Sequence, residues 1–279
     1  GMDTYLEKYH IPAVDYSEGV KTAYPQGVQA KEFILPKELL EQDCVISLSK
    51  MKTHALERIT GAVKNSYGFI YGFHKAKGHT QYPSADSFAR MLIDLNKCVA
   101  PKLYVMDGIV AMEGNGPGSG DPVPMNVLLM STDPVALDSV FSRLVYLKPE
   151  MVPTNYHGEK MGLGTWKEEE ITLLTPDGEI SMAEAVKKYG NPAFNVDRTE
   201  VRKNIWTRMA GALNIFQKKP YIEADKCVRC GICVQSCPVP GKAVDFRKGK
   251  GKPPVYDYRK CIRCFCCQEM CPKKAIKVK

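Results

Sequence analysis

The sequence predicts an α/β chain: a mostly parallel layered sheet domain followed by a small α+β unit built around cysteines. Three observations predict it. Strand-like and helix-like segments alternate from about residue 30 to residue 190, the mark of a layered sheet with crossover helices. Nine of the eleven cysteines crowd into residues 227 to 271. The 279 residues are 44% hydrophobic and 25% charged, enough for one sizeable core and a small appended unit.

The elements follow in order. "DCVISLSK" (43–50) is a short apolar run and reads as a buried strand. "SADSFARMLIDLNKCVA" (84–100) sets Phe88, Met91, Leu92 and Leu95 at helical spacing. "KLYVMDGIVAM" (102–112) and "NVLLMS" (126–131) read as a second and a third strand. "DPVALDSVFSRLVYL" begins a helix, with Asp133 as N-cap and Pro134 at its first position. "ITLLTP" (171–176) reads as a fourth strand. "SMAEAVKKYG" carries a capping box, Ser181 with Glu184, and stops at Gly190. The α/β domain is therefore expected over 1–200 and a connector over 201–220. Within the connector "VRKNIWTRMAGALNIF" reads as an amphipathic helix. The cysteine unit takes 221–279. Gly1 ahead of Met2 reads as a tag-removal scar.

Composition excludes several classes. No apolar run reaches about 18 residues, so no membrane span is expected. The first ten residues hold no apolar signal core. An odd cysteine count with regular spacing favours metal in a reducing, cytoplasmic compartment over a disulfide scaffold. The formal charge is +8 with thiols neutral. Eight thiolates and two cluster cores of about +2 each bring it near +4, too weak to argue for nucleic acid. The densest basic run, "RKGKGK" (247–252), reads as a solvated loop or as a docking patch for an acidic redox partner.

The cysteines form an internal repeat. "CVRCGICVQSCP" holds Cys227, Cys230, Cys233 and Cys237; "CIRCFCCQEMCP" holds Cys261, Cys264, Cys267 and Cys271, plus Cys266. Both copies follow C-x-x-C-x-x-C-x-x-x-C-P. Three close thiolates wrap one face of a cubane and the fourth ligates the other cluster. Cys227, Cys230, Cys233 and Cys271 are thus expected to hold one [4Fe–4S] cluster. Cys261, Cys264, Cys267 and Cys237 hold the second. Cys266 is spare, because its counterpart in the first copy is Ile232. Structural zinc is the competing reading, and two in-register copies with prolines count against it. The stretch closely resembles bacterial-type two-cluster ferredoxins. That resemblance implies a pseudo-twofold unit of short strands and helices passing single electrons.

In the larger domain, "SLSKMKTHALERITGAVKNSYGF" places Lys50, Lys52, His54, Arg58 and Lys64 just after a strand. Ligands of open α/β sheets bind beyond the carboxyl ends of strands. "MDGIVAMEGNGPGSGDP" follows the next strand with Asp107, Glu113, Gly114, Gly116, Gly118, Gly120 and Asp121. Glycines let backbone N–H groups approach a ligand closely. Together these residues predict an anionic-ligand site. His54 and Lys64 are its catalytic candidates. Lys52, Glu113, the four glycines and Asp121 are its binding candidates. His74 and His79 are expected on a polar loop over the site, and His10 and His157 on the surface.

These motifs with "DPVALD" resemble the domain of unknown function 362 family over roughly residues 35–200. Members often carry a ferredoxin unit at the C-terminus, and usually have further strand–helix units ahead of the matched region. Part of the usual site is therefore expected to be missing here. A fainter resemblance, to lactate-racemase-type enzymes, rests on the order His54, Gly61–Ala62, Lys64. The surrounding residues differ, so their nickel-pincer cofactor is not expected. The resulting expectation is an iron–sulfur redox protein whose two clusters exchange electrons with an α/β domain that binds a small anion. A non-catalytic carrier or docking subunit, and a non-redox enzyme with structural clusters, are the alternatives.

Overall fold

A computed structural model of the chain describes residues 2–72, 74–200 and 218–279. The expected connector helix at 201–216 lies outside them.

Two short strands open the fold, β1 (Gly19–Ala23) and β2 (Glu32–Pro36), paired as an antiparallel ribbon. The central sheet has four strands: β3 (Ile46–His54), β4 (Arg58–Thr60), β5 (Leu103–Glu113) and β6 (Asp121–Ser131). Their spatial order is β4-β3-β5-β6. Only β3 and β5 are parallel; β4 and β6 each run against their neighbour. The expected mostly parallel sheet is thus a mixed one. The reason is covalent. Three residues join β3 to β4 and a glycine-rich loop joins β5 to β6, and neither is long enough for a crossover. The stretch expected as a fourth strand forms instead a separate hairpin, β7 (Leu173–Thr175) with β8 (Gly178–Ile180).

One face of the sheet is packed. Met51, Tyr104, Met106 and Val127 meet α6 (Pro134–Leu144) through Leu137, Val140, Phe141 and Leu144. A second core gathers Phe88, Met91, Leu92 and Leu95 of α5 (Ala85–Val99) around Phe33, Leu35 and Val63. Caps fix these helices. Asp133 accepts from Val135 N at 2.7 Å and Ala136 N at 2.9 Å, as the sequence predicts. Ser181 and Glu184 form the expected box at the start of the helix Met182–Tyr189.

The cysteine unit has its own small core, Val244, Ala243 and Ile276 with Cys233, Cys237 and Cys267. Strand β9 (Pro220–Ile222) pairs with β12 (Ile276–Val278), and β10 (Val244–Asp245) with β11 (Val255–Tyr256). The sequence repeat is repeated in the backbone. Arg229 and Arg263 take φ +60° and +57°, and Gly231 and Phe265 take +78° and +60°. The short helices Ile232–Gln235 and Cys266–Glu269 then occupy equivalent positions.

Candidate functional site

The carboxyl end of the parallel pair is where the two parts of the chain meet. His54 is the last residue of β3 and is buried. Its Nδ1 accepts from Leu56 N at 3.2 Å and Glu57 N at 3.1 Å. Two backbone donors on Nδ1 leave the proton on Nε2, which donates to Glu269 Oε1 at 3.1 Å. Both ring nitrogens are therefore engaged by the chain itself. Burial, and then the charge of Lys64, lower the His54 pKa to about 4, against the pull of Glu269. Burial alone would raise Glu269. Lys64 and His54 outweigh it and hold the carboxylate at about 2.

Lys64 sits on α3 (Ala62–Asn65), and the position of that turn has a clear cause. Asp138 of α6 accepts from Ala62 N at 2.6 Å and Val63 N at 3.0 Å. A Cβ on Gly61 would lie 2.0 Å from Asp138 Oδ1, so only glycine admits this contact. The "TGAVKN" and "DPVALD" stretches are thus two halves of one capping arrangement. The half-buried Lys64 bears electrostatically on His54, Glu57, His79, Glu269 and Lys52. Glu57 is fully buried with neither carboxyl oxygen hydrogen-bonded. Burial first, with Asp86 adding, raises its pKa well above the usual range despite Lys64. His79 lies on the helix His74–Gln81, not on a loop; it is buried and stacks on Phe88 at 4.5 Å. His157 is not a bare surface residue either, since it meets Asp86 at 2.8 Å. His10 is exposed.

The glycine loop plays a part the sequence did not reveal. Gln268 Nε2 donates to Asn115 O at 2.7 Å and Gly116 O at 3.0 Å. Asn115 Nδ2 donates to Ile276 O at 3.0 Å, and Lys274 Nζ to Gly120 O at 3.1 Å. A Cβ on Gly116 would lie 2.2 Å from Thr53 O, and one on Gly118 2.8 Å from Glu269 O. The loop therefore presents carbonyls and bare Cα atoms to the cysteine unit, where N–H groups toward an anion were expected. Glu113 Oε2 accepts from Asn195 N at 2.7 Å, Gly114 N donates to Asn195 O at 2.8 Å, and Asp121 opens β6. Lys52 is half-buried; burial, then Lys64 and Lys50, lower its pKa. Lys50, two residues back along the same strand, pairs with Asp107 at 2.5 Å.

Beside this junction lies a cleft of about 420 Å³. His54, Arg58, Gly114 and Gly116 line it from the α/β side, and Tyr221, Glu223 and Lys277 from the cysteine unit. Its volume is that of a small-molecule site. Arg58 donates to Asp197 O and Thr199 O, both at 2.8 Å, and Lys218 pairs with Asp197 at 2.5 Å. Burial alone would raise Asp197, but Lys218 and Thr199 lower it to about 2.

The cysteines fall into two groups. Cys227, Cys230, Cys233 and Cys271 line one cavity, walled by Ile222, Ile232 and Ile276. Cys261 feels the charge of Cys264 and Cys237, and Cys267 that of Cys264 and Cys261. Ala243 N donates to Cys237 Sγ and Ala275 N to Cys271 Sγ, each at 3.3 Å. Apolar walls and N–H donors aimed at sulfur suit thiolates on a cluster. Cys264, Cys266 and Cys267 are buried, whereas Cys230 is exposed.

A fold with these cysteines defines an iron–sulfur protein, and residues 219–272 match the 4Fe-4S dicluster domain. Residues 1–143 match the Domain of unknown function (DUF362), and the chain belongs to that family. It is 42% identical over 160 residues to the thylakoid-associated protein sll1697 of Synechocystis sp. (strain ATCC 27184 / PCC 6803 / Kazusa). The match covers 57% of this chain and 49% of the relative, so it spans about half of the relative's length. No solved structure matches. Among the described residues no helix is long and apolar enough to cross a membrane.

The residues that sequence reasoning missed are Gln268, Glu269, Glu57 and Lys277. A signal existed for the first two. They stand where the first cysteine copy has Val234 and Gln235, a departure from an otherwise close repeat.

Proposed function

We propose that the chain is a redox protein in which two [4Fe–4S] clusters move single electrons to or from an α/β domain that binds a small anionic ligand in the cleft beside His54. The observation that carries this reading is the Glu269–His54 contact. It ties the helix bearing Cys266 and Cys267 to a wall of the cleft. Cys227, Cys230, Cys233 and Cys271 hold one cluster, Cys261, Cys264, Cys267 and Cys237 the other, and Cys266 neither. Bound clusters supply one-electron chemistry.

The chain's own residues do the rest. Ile222 and Ile276 shield the thiolates, and the N–H groups of Ala243 and Ala275 stabilise charge on sulfur. Tyr221 and Lys277, one residue along the same strands, line the cleft. Strand residues alternate faces, so a single layer of backbone separates cleft from cysteines. Lys277 and Arg58 supply positive charge for an anion. His54, fixed as the Nε2–H tautomer, keeps its proton directed at Glu269 and orders that wall. The domain plan of the proposal is 1–200, 201–220 and 221–279, in a cytoplasmic, reducing setting.

The alternative is a carrier that hands electrons to an acidic partner protein at the exposed basic run 247–252.

One experiment separates these readings. The reduced holo-protein is mixed anaerobically with small carboxylates and phosphates, and cluster reoxidation and ligand binding are followed. A ligand that binds, and whose binding Lys277→Ala weakens at unchanged iron content, supports the cleft reading. No binding, with reoxidation only by an acidic carrier protein, favours the carrier. Clusters that accept no electron at any accessible potential would overturn both.

A further inference from the structure

Away from its His54 end, the outer face of the central sheet is apolar and uncovered among the described residues. The register writes it out row by row. Leu48 stands opposite Val105, and Val105 opposite Met130; in the next row stand Lys50, Asp107 and Leu128. Opposed residues of a sheet share a face, so these side chains form one patch. Ile46 extends it at one end, and Ile109 and Val110 at the other. Leu48 is 72% exposed, Met130 63% and Leu128 55%. A parallel pair is ordinarily covered on both faces, and a contiguous apolar patch marks an interface.

We propose that a second copy of this chain packs here, sheet on sheet, about a two-fold axis passing beside the Lys50–Asp107 pair. Charge is the first argument. The centre of the patch carries one cation and one anion 2.5 Å apart. A two-fold rotation lays Lys50 of each copy against Asp107 of the other, so the face is complementary to itself. A lipid surface gains nothing from a buried carboxylate. Area is the second argument. The buried strand β4 and the buried His54 end of β3 add nothing, so the uncovered face is residues 46–50, 103–110 and 122–131. At about 3.3 Å per residue and about 4.8 Å between strands it spans roughly 360 Å² per copy, the size of a weak, reversible dimer contact. Stacked sheets sit about 10 Å apart, which the Leu48, Met130 and Leu128 side chains fill.

The test is light scattering of the holo-protein across the micromolar range, with iron content and circular dichroism as controls of folding. Wild type is expected at twice the mass of one chain. Leu48→Glu raises the dissociation constant roughly ten- to hundred-fold at unchanged iron. Lys50→Glu and Asp107→Lys each weaken the dimer, because like charges then face each other across the axis. An equimolar mixture of these two variants restores it, because every contact between copies again pairs opposite signs. A wild-type chain that stays monomeric throughout overturns the proposal. So does a dimer indifferent to all three substitutions, or a mixture that fails to associate. A monomer that binds neutral lipid vesicles through Leu48 overturns it too, and assigns the face to a membrane surface.

Discussion

Replacing Gln268 with alanine isolates the docking of the cysteine unit on the glycine loop. The side chain is fully buried, and its Nε2 serves Asn115 O at 2.7 Å and Gly116 O at 3.0 Å. Alanine leaves both carbonyls without that donor, in a place water reaches poorly. A buried polar group left unpaired costs about 1–3 kcal/mol, so two cost roughly 2–6 kcal/mol of docking free energy, and losing the unpartnered Gln268 Oε1 moves the figure toward the lower end. Gln268 is not among the proposed ligands, so iron content should stay unchanged. The remaining contacts are Asn115 to Ile276 O, Lys274 to Gly120 O and His54 to Glu269. They keep the parts associated but open more often. Amide hydrogen exchange over residues 114–121 and 266–276 reads this directly. Even the lower figure predicts exchange faster by roughly thirty-fold, since about 1.4 kcal/mol is a factor of ten. Unchanged exchange in both segments, with the clusters intact, refutes the assignment of this side chain as a clamp.

Three further outcomes are expected. Cys266→Ser leaves about eight irons per chain whereas Cys267→Ser lowers the content, read by metal analysis and absorbance; the reverse pattern would mean the register is wrong. Gly61→Ala drives a Cβ to 2.0 Å from Asp138 Oδ1 and 2.6 Å from Met106 Cε, and lowers stability by roughly 2 kcal/mol in urea unfolding without touching the iron. His54 and His79 are each held neutral with a pKa of about 4 against 6.5 when free, burial being the main cause. The unfolded chain takes up protons between pH 6.5 and 4 that the folded chain does not. The stability these two histidines contribute is therefore full above pH 6.5 and falls as pH drops toward 4, by up to about 3 kcal/mol each, while the buried carboxyls of Glu57 and Asp138, raised by burial, act with the opposite sign. The stability difference between wild type and His79→Leu should itself shift with pH, wild type losing more than the variant between pH 6.5 and 4, in urea unfolding followed by circular dichroism; a difference that is constant over that window would remove His79 from the account.

What the sequence makes legible follows its range of interaction. The cysteine repeat is readable because ligand spacing is local, and the caps at Asp133 and Ser181 are readable for the same reason. Strand directions are less legible, because the alternation of strand-like and helix-like stretches does not show what joins each pair. No helical stretch separates residue 112 from residue 126, and that gap implies the antiparallel return. The junction was half legible. His54 and the glycine loop do lie together, because they follow β3 and β5 at one end of the parallel pair, and Lys64 bears on His54 from the turn after β4. Their partners Gln268 and Glu269 are more than 140 residues away in sequence. A donor amide and a carboxylate between two cysteines give no local sign of what they will touch. The glycines misled for a physical reason: a bare Cα serves equally to admit an anion or another backbone, and here Thr53 and Glu269 are the backbones admitted.

A duplicated module has two interchangeable ends, and nothing in its symmetry distinguishes left from right. In this chain the two short helices that carry the third cysteine of each copy differ at three of their four positions. Ile232, Val234 and Gln235 in the first stand against Cys266, Gln268 and Glu269 in the second. Those replacements make one end adhesive and leave the other, with its exposed Cys230, open to visitors. The asymmetry of the assembly thus resides in Gln268 and Glu269, seconded by Lys274, whose Nζ holds Gly120 O. Moving the two helix residues alone, by Val234→Gln and Gln235→Glu with the reverse changes in the second helix, should loosen the module on its platform.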